Sequence, residues 1–182
     1  MTDATPHTSS ASAILAAGCF WCSEAIFTRL KGVHAVKPGY IGGHVADPSY
    51  EQVKQGDTGH AEAIRISYDP DMISFAELLD IFFHAHDPTT LDRQGEDIGN
   101  QYRSAIFVTT QGERDLAEAA IAKARSLWSD PIVTAVEDGT QPWFEAETYH
   151  HDYFAENGKK NVYCSMVIAP KLAKFQKNMP TG

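Results

Sequence analysis

The sequence predicts an α/β fold, an α+β two-layer sandwich on a split βαβ, ferredoxin-like core with an irregular C-terminal wrap. Three observations predict it. Up to Val108, short apolar runs and helical repeats follow in the order strand, helix, strand, strand, helix, strand, which places helices on one face of a mainly antiparallel sheet. Ser74 with Glu77 and Thr110 with Glu113 have the spacing of a capping box and mark two helix starts. Hydrophobic residues make up 43% of 182 positions against 21% charged, enough apolar side chain for a buried core. That length suits one catalytic-sized domain over residues 12–182 behind a Thr/Ser/Ala/Pro-rich tail over 1–11.

Ala13 to Ala17 is an apolar run ended by Gly18, hence a strand and a tight turn. From Phe20 to Leu30, Ile26, Phe27 and Leu30 recur at helical spacing. Val36 to Tyr40 is the next extended segment, broken by Pro38 and Gly39 and followed by Gly42-Gly43, where a flexible loop fits. Ala63 to Tyr68 alternates apolar and polar residues, as a half-buried strand does, and stops at Asp69-Pro70. Phe75, Leu78, Leu79, Phe82 and Phe83 line one face of a helix begun at Ser74. Ala105 to Val108 is a strand. Leu116, Ala120, Ala124, Leu127 and Trp128 mark an amphipathic helix ending before Pro131, and Ile132 to Val136 reads as a further strand. Beyond about Gly139 the chain is aromatic, His-rich and weakly periodic, so it is expected to wrap irregularly over the sandwich. It contains no internal repeat, low-complexity block or interdomain linker.

With 15 Lys and Arg against 24 Asp and Glu, the net charge of -9 argues against a nucleic-acid partner, whose phosphates demand a basic surface. No apolar run approaches the roughly 18 residues that would span a bilayer, and no Lys or Arg precedes the first short apolar stretch, so neither a membrane nor a secretory route is expected. Three cysteines exclude a disulfide-dense scaffold and favour a reducing, cytoplasmic compartment in which each thiol needs its own explanation.

Gly18-Cys19-Phe20-Trp21-Cys22 falls at the strand-to-helix turn, which puts Cys19 at the mouth of a helix. Helix amides and dipole favour an anion there, and the thiolate is the reactive form of cysteine. A free cysteine is commonly a small core residue, but the adjacent glycine, the helix start and the two aromatics favour the reactive reading. Cys22 completes Cys-x-x-Cys, which fits a redox pair or half of a zinc site completed by Cys164 and a distant histidine. Cys164, near the C-terminus, is either an inert buried thiol or one able to swing onto an oxidised partner. Glu62 precedes the alternating strand; beside Cys19 in apolar surroundings its carboxyl would hold a proton at neutral pH, and otherwise it is a surface residue. His84 and His86 point to different helical faces and read as capping or packing residues, and His150-His151-Asp152 reads as polar surface. From these residues alone, a thiol-disulfide oxidoreductase using Cys19 and Cys22 and a zinc-binding interaction module remain open.

In order along the chain stand Gly18-Cys-Phe-Trp21, Gly39-Tyr-Ile-Gly-Gly43, Pro48-Ser-Tyr50, Gly56-Asp-Thr-Gly-His-Ala-Glu62, Tyr68-Asp-Pro70, His86-Asp-Pro88, Arg93-Gln-Gly95 and Gln101-Tyr-Arg-Ser104. With these strings the chain resembles the A-type peptide-methionine sulfoxide reductases from about Ala13 to Phe175. The resemblance implies an enzyme that reduces the S epimer of methionine sulfoxide, free or in oxidatively damaged proteins. It implies Cys19 as nucleophile, Phe20 and Trp21 as the pocket for the S-methyl group, Glu62 as acid, Tyr50 and Tyr102 as hydrogen-bonding phenols and Asp97 as a supporting carboxylate. It also implies a cysteine sulfenic acid, an intramolecular disulfide and recycling by a thioredoxin-type reductant, with no cofactor and no metal, in a monomer.

Two positions depart from the family pattern. Cys22 stands where glycine is common, and Tyr163-Cys164 is followed by Ser-Met-Val-Ile-Ala-Pro-Lys in place of a glycine-rich tail with a further cysteine. These departures leave open which thiol resolves the sulfenic acid, and Cys164 is the first choice on geometric grounds. Cys22, expected on the same helix as Cys19, would meet poorly the requirement for Cα atoms within about 7 Å and converging Cβ vectors.

Overall fold

The computed structural model describes residues 9–178. Its strands are β1 (Ala11–Ala17), β2 (Val33–Ile41), β3 (Ala61–Tyr68), the hairpin β4 (Arg93–Gln94) and β5 (Asp97–Ile98), β6 (Ser104–Val108), β7 (Ala135–Asp138) and β8 (Phe144–Glu145). The helices are α1 (Phe20–Phe27), α2 (Tyr50–Gln55), α3 (Phe75–Ala85), α4 (Gln111–Ala124), α5 (Tyr153–Asn157) and α6 (Ala169–Asn178), the last entered through a π-helical turn over Cys164–Ile168. Six strands form one sheet in the order β7-β6-β1-β3-β2-β8. Its four central strands are antiparallel neighbours, β1 between β6 and β3 and β3 between β1 and β2, which is the expected split βαβ core. β7 adds parallel to β6, a pairing that needs the α4 crossover to return the chain.

The central position of β1 explains its unbroken apolar run. Ala13, Leu15 and Ala17 join the main core beneath Phe27, Leu78, Phe82 and Ala117 of α1, α3 and α4, while Ile14 and Ala16 enter a smaller cluster on the opposite face with Ile41, Ala63, Phe107 and Trp143. A strand buried on both faces has no polar side to display.

Several boundaries differ from the sequence reading. Residues 1–8 of the expected tail lie outside the described residues, and Ala11 already belongs to β1. α1 ends at Phe27, with Leu30 buried in the turn that follows. β2 runs through Pro38 because the Pro38 carbonyl accepts from Ala146 N at 2.9 Å. The proline nitrogen faces that same edge, where β8 is only two residues long and few ladder bonds can be lost. α4 ends at Ala124, short of the expected Leu127 and Trp128, and buries Ala117 and Ala124 while Leu116 is exposed, so close packing through alanines replaces the expected leucine stripe. β7 begins at Ala135, three residues later than Ile132.

The C-terminal wrap is also more regular than expected. Ile168, Leu172 and Phe175 are buried at helical spacing, and α6 packs beside α1 and α3. Pro170 follows directly on the π-helical turn Cys164–Ile168, whose wider spacing accommodates a residue without an N–H inside a continuous helix. No helix among the described residues is long and apolar enough to cross a membrane.

Candidate active site

β1 delivers the site through a glycine turn. Gly18 has φ +84, and a Cβ there would lie 2.6 Å from Gln94, so both the backbone and the space require glycine. The turn leaves Cys19 as the N-cap of α1 at φ -52, ψ 123, outside helical geometry, with Phe20, Trp21 and Cys22 as the first three helical residues. Cys19 is therefore at the helix mouth, but its thiol is not acidified. Burial, the adjoining Cys22 thiol and the Glu62 carboxyl hold it well above the ordinary thiol range, outweighing the helix terminus. The thiolate expected there is displaced to Cys22, which the hydrogen bond from Cys19 draws down to about 7 against its own burial, with Lys171 assisting.

Glu62 comes from the neighbouring strand. The antiparallel register that sets Leu15 opposite Ile64 and Tyr40 opposite Glu62 brings Glu62 beside the end of β1, where its Oε2 accepts the Phe20 backbone N–H at 3.1 Å. Burial pushes the carboxyl up to about 8; the Phe20 amide opposes this, and negative charge at Asp97 and Cys22 adds to it. Glu62 is thus a neutral acid at pH 7, with one oxygen anchored and one left for the proton.

Aromatic rings close the other side. Phe20 is almost fully buried, its centroid 5.8 Å from Tyr40, 6.5 Å from Tyr50 and 5.1 Å from His150, and so forms the floor. Trp21 is partly exposed and stacks on Tyr153 at 3.8 Å and 5°, with Tyr50 at 6.3 Å on another side. Its Nε1 donates to His150 Nδ1 at 3.0 Å. Tyr50 opens α2, whose start is fixed by the Ser49 and Gln52 capping box, and Tyr102 ends a 3₁₀ turn over Asn100–Tyr102. Burial and the nearby Glu62 raise both phenols above their ordinary range, so they remain donors.

Three groups that the sequence reading missed hold this arrangement. Tyr163 donates its hydroxyl to Asp97 Oδ2 at 2.7 Å beside Cys19. Glu147 accepts from Tyr40 Oη at 3.0 Å and from Tyr50 N at 2.8 Å, and lies 3.1 Å from His150 Nε2 without hydrogen-bond alignment. Glu24 accepts from the amides of Asp152 at 2.9 Å and Tyr153 at 3.3 Å, fixing the left-handed Asp152 turn that sets Tyr153 on Trp21. His150 is fully buried, so the polar surface expected over His150-His151-Asp152 is instead partly interior. The signal available for Glu147, His150 and Tyr163 was the density of aromatic residues after Gly139; Glu24 carried none.

Cys164 is fully buried and packs with Cys22, Ala25 and Ile168. Cys19, Phe20, Trp21, Cys22, Tyr50, Glu62, Asp97, Tyr102 and Cys164 therefore all meet in one region, and all three cysteines are free. His84 and His86 lie apart from it, their Nδ1 atoms on the carbonyls of Asp80 and Phe82 at 2.8 Å and 2.7 Å; His86 is a buried packing residue, whereas His84 is exposed in the last turn of α3. Among the described residues no group of three or more His, Cys, Asp or Glu side chains is arranged to hold a metal ion.

Comparison with known proteins places this arrangement. Residues 11–181 match the family model described as peptide methionine sulfoxide reductase. A relative from Erwinia tasmaniensis, named peptide methionine sulfoxide reductase MsrA, is 56% identical over 91% of this chain and 92% of its own. One of the same name from Saccharolobus solfataricus is 48% identical over 92% of this chain and 94% of its own. The crystal structure of reduced Mxr1 from Saccharomyces cerevisiae superposes with a TM-score of 0.79 at 32% identity, covering 88% of this chain and 91% of that one. The chain belongs to the peptide methionine sulfoxide reductase family, of the MsrA type, and is an oxidoreductase acting on methionine sulfoxide.

Proposed function

We propose that the site reduces the S epimer of methionine sulfoxide, free or in proteins, with Cys19 as nucleophile and Glu62 as acid, in repair of oxidised proteins. The observation that carries this reading is the neutral Glu62 carboxyl, held by Phe20 N beside the turn that bears Cys19. A sulfoxide sulfur is a poor electrophile because its oxygen leaves badly as oxide or hydroxide. A carboxylic acid that protonates this oxygen, assisted by the Tyr50 and Tyr102 hydroxyls, draws electrons from the sulfur and makes it open to attack by a thiolate. The S-methyl group fits the recess between Phe20 and Trp21, where water is excluded. As Cys19 attacks the sulfoxide sulfur its proton passes to Cys22; the S–O bond of the substrate breaks, its oxygen, protonated by Glu62, ends as the hydroxyl of the Cys19 sulfenic acid, and methionine departs with the electron pair. Asp97 supports the site by holding the Tyr163 hydroxyl.

A second thiol, from Cys164 or Cys22, condenses with the sulfenic acid, and a thioredoxin-type dithiol returns the protein to its reduced state. Yeast Mxr1 has been crystallised in complex with Trx2. The reading is of a monomer, and three free thiols suit a reducing, cytoplasmic setting. The test is single-turnover release of methionine from a blocked methionine sulfoxide by the reduced protein, without added reductant. The S epimer is expected to yield methionine and the R epimer none; an untouched S epimer would overturn the reading.

A further inference from the structure

We propose that Gln101 is a positioning residue for the reaction: with Asn100 it ties the end of α2 to the turn that carries Tyr102, and so fixes the spacing of the two phenols that hold the sulfoxide oxygen. The inference deepens the reductase reading above and rests on it.

α2 needs such a tie. It is six residues long, too short to keep helical form in water by itself, and Val53 is its buried anchor. Among the described residues it makes no extensive contact with any strand or other helix. Yet its first residue is Tyr50. What holds α2 is therefore hydrogen bonding at its two ends. At the start Ser49 caps it, and Glu147 accepts from Tyr50 N at 2.8 Å. At the far end Gln101 Nε2 donates to the Lys54 carbonyl at 3.1 Å, and Asn100 Nδ2 donates to the Gly56 carbonyl at 2.8 Å. Tyr50 and Lys54 are four residues apart on one helical face, with the Lys54 ammonium 5.9 Å from the Tyr50 ring centroid. A bond to the Lys54 carbonyl thus sets the direction in which α2 aims the Tyr50 ring.

The other end of the tie is rigid. The 3₁₀ turn over Asn100–Tyr102 is closed by Tyr102 N on the Gly99 carbonyl at 3.0 Å. Arg103 Nη1 donates to the carbonyls of Asn100 at 3.0 Å and Gly59 at 3.2 Å, and Arg103 Nε donates to Glu137 Oε1 at 2.8 Å. Gln101 is buried, and a Cβ at Gly99 would collide with its amide, so glycine makes the room this side chain occupies. The amide cannot turn over, because that would set Oε1 against the Lys54 carbonyl, acceptor on acceptor. Oε1 itself meets no donor among the described residues. An apolar side chain of the same size would bury without leaving an oxygen unpaired, so packing does not account for an amide here and the Lys54 carbonyl does. The same amide borders the Tyr102 hydroxyl and opposes the burial that raises that phenol. One side chain therefore touches both the helix that bears Tyr50 and the phenol of Tyr102.

A sulfoxide oxygen has lone pairs for two donors, whereas the thioether product has no oxygen at all. Two phenols at the right separation therefore distinguish substrate from product, while the aromatic recess receives the methyl group of either. Glu62 and Cys19 lie near both phenols, so an oxygen held between them is presented to the acid with its sulfur toward the nucleophile. Hydrogen bonds weaken steeply with distance and angle, so a small shift of α2 costs one of the two.

The experiment measures equilibrium binding to the Cys19→Ser chain, which cannot turn over, by NMR titration with a blocked methionine S-sulfoxide and with the blocked methionine itself. Gln101→Met keeps the size and removes the donor. It should weaken sulfoxide binding about fivefold, the scale of one net hydrogen bond, and leave methionine binding within about twofold. Asn100→Ala, at a partly exposed position, should show the same selectivity, and it carries the test if Gln101→Met does not fold. In a Tyr50→Phe background the two-point hold is already broken, so Gln101→Met should have little further effect. Unchanged sulfoxide binding in either folded variant, equal losses for sulfoxide and methionine, or an undiminished loss in the Tyr50→Phe background would overturn the proposal. Methionine release by the wild-type chain from the same sulfoxide is measured in parallel. Its absence would indict the reductase reading, and its presence leaves the role of Gln101 alone on trial.

Discussion

Phe20 donates its backbone N–H to Glu62 Oε2 at 3.1 Å, so the first amide of α1 and the acid of β3 are locked together across the sheet edge. The bond favours the ionised carboxylate, yet burial wins and the group titrates near 8. The acid is thus positioned by an interaction that opposes its own protonation. Glu62→Gln preserves an acceptor for Phe20 and donates hydrogen bonds but no proton. General acid catalysis contributes on the order of 10² to 10⁴ in rate, so first-turnover methionine release at pH 7 should fall by about a hundredfold or more while substrate still binds. Rapid-quench measurement against sulfoxide concentration separates rate from affinity; an unchanged rate would reject Glu62 as the acid.

The same group predicts a pH limb. Its pKa is raised in the folded chain, so the protonated form persists below about 8 and is lost above it. The contribution of the acid to the first-turnover rate should therefore be lost as pH rises through about 8, up to tenfold per unit. Cys19, also raised, gains thiolate over that range and offsets this loss, so the wild-type rate should rise up to about pH 8 and then level off. Comparison with Glu62→Gln isolates the acid: the variant should keep rising above pH 8, where the wild-type rate levels off.

What the sequence made legible follows from locality. Gly18, the apolar run before it and the helix repeat after it are local signals, and they located the Cys19 turn. The capping-box spacings at Ser74 and Thr110 located α3 and α4, although only Ser74 closes the full box; Glu113 turns to the Thr109 amide instead. The electrostatics of Cys19 were not legible, because the burial and the Glu62 carboxyl that raise its pKa come from elsewhere in the fold. The same holds for the Trp21 partners. His150 and Tyr153 lie more than a hundred residues away in a segment without periodicity, and Glu24 reaches them only through the Asp152 turn. Pro170 concealed α6, whose spacing of Ile168, Leu172 and Phe175 was present in the sequence.

The Trp21 wall should depend on Tyr153. The rings are nearly parallel at 3.8 Å, and an aromatic pair contributes about 0.5 to 1.5 kcal/mol beyond area burial. Tyr153→Ala removes the ring that holds the Trp21 indole while leaving Glu62 and Cys19 intact. The expected result is an increase of several-fold in the half-saturating sulfoxide concentration, on the scale of that energy, with a smaller effect on the saturated first-turnover rate. Tyr153→Phe retains the stack and should bind as wild type. Equal losses in both variants would point to the hydroxyl, which accepts from Asn161 Nδ2 at 2.9 Å, in place of the ring.

His86 gives a prediction about stability that is independent of the chemistry. It is buried between α3 and β6, with Nδ1 on the Phe82 carbonyl at 2.7 Å and Nε2 on Ser104 Oγ at 2.7 Å. Burial depresses its pKa to about 3, aided by Lys171 and opposed by the Phe82 carbonyl, so the folded chain keeps it neutral. An unfolded chain protonates it near 6.5. For a folded pKa depressed in this way, the contribution to stability is complete above about 6.5 and is lost as pH falls toward 3. The slope for one proton is about 1.4 kcal/mol per pH unit, giving a loss on the order of 2 kcal/mol between pH 6.5 and 5. Denaturant unfolding of wild type and His86→Gln at pH 7 and pH 5 would test this. The variant should be less stable at pH 7, where its substitution costs packing and hydrogen bonds, and the gap should narrow at pH 5 because only the wild-type chain has lost the histidine contribution. A gap that is constant with pH would mean that His86 titrates in the fold as it does in the unfolded chain.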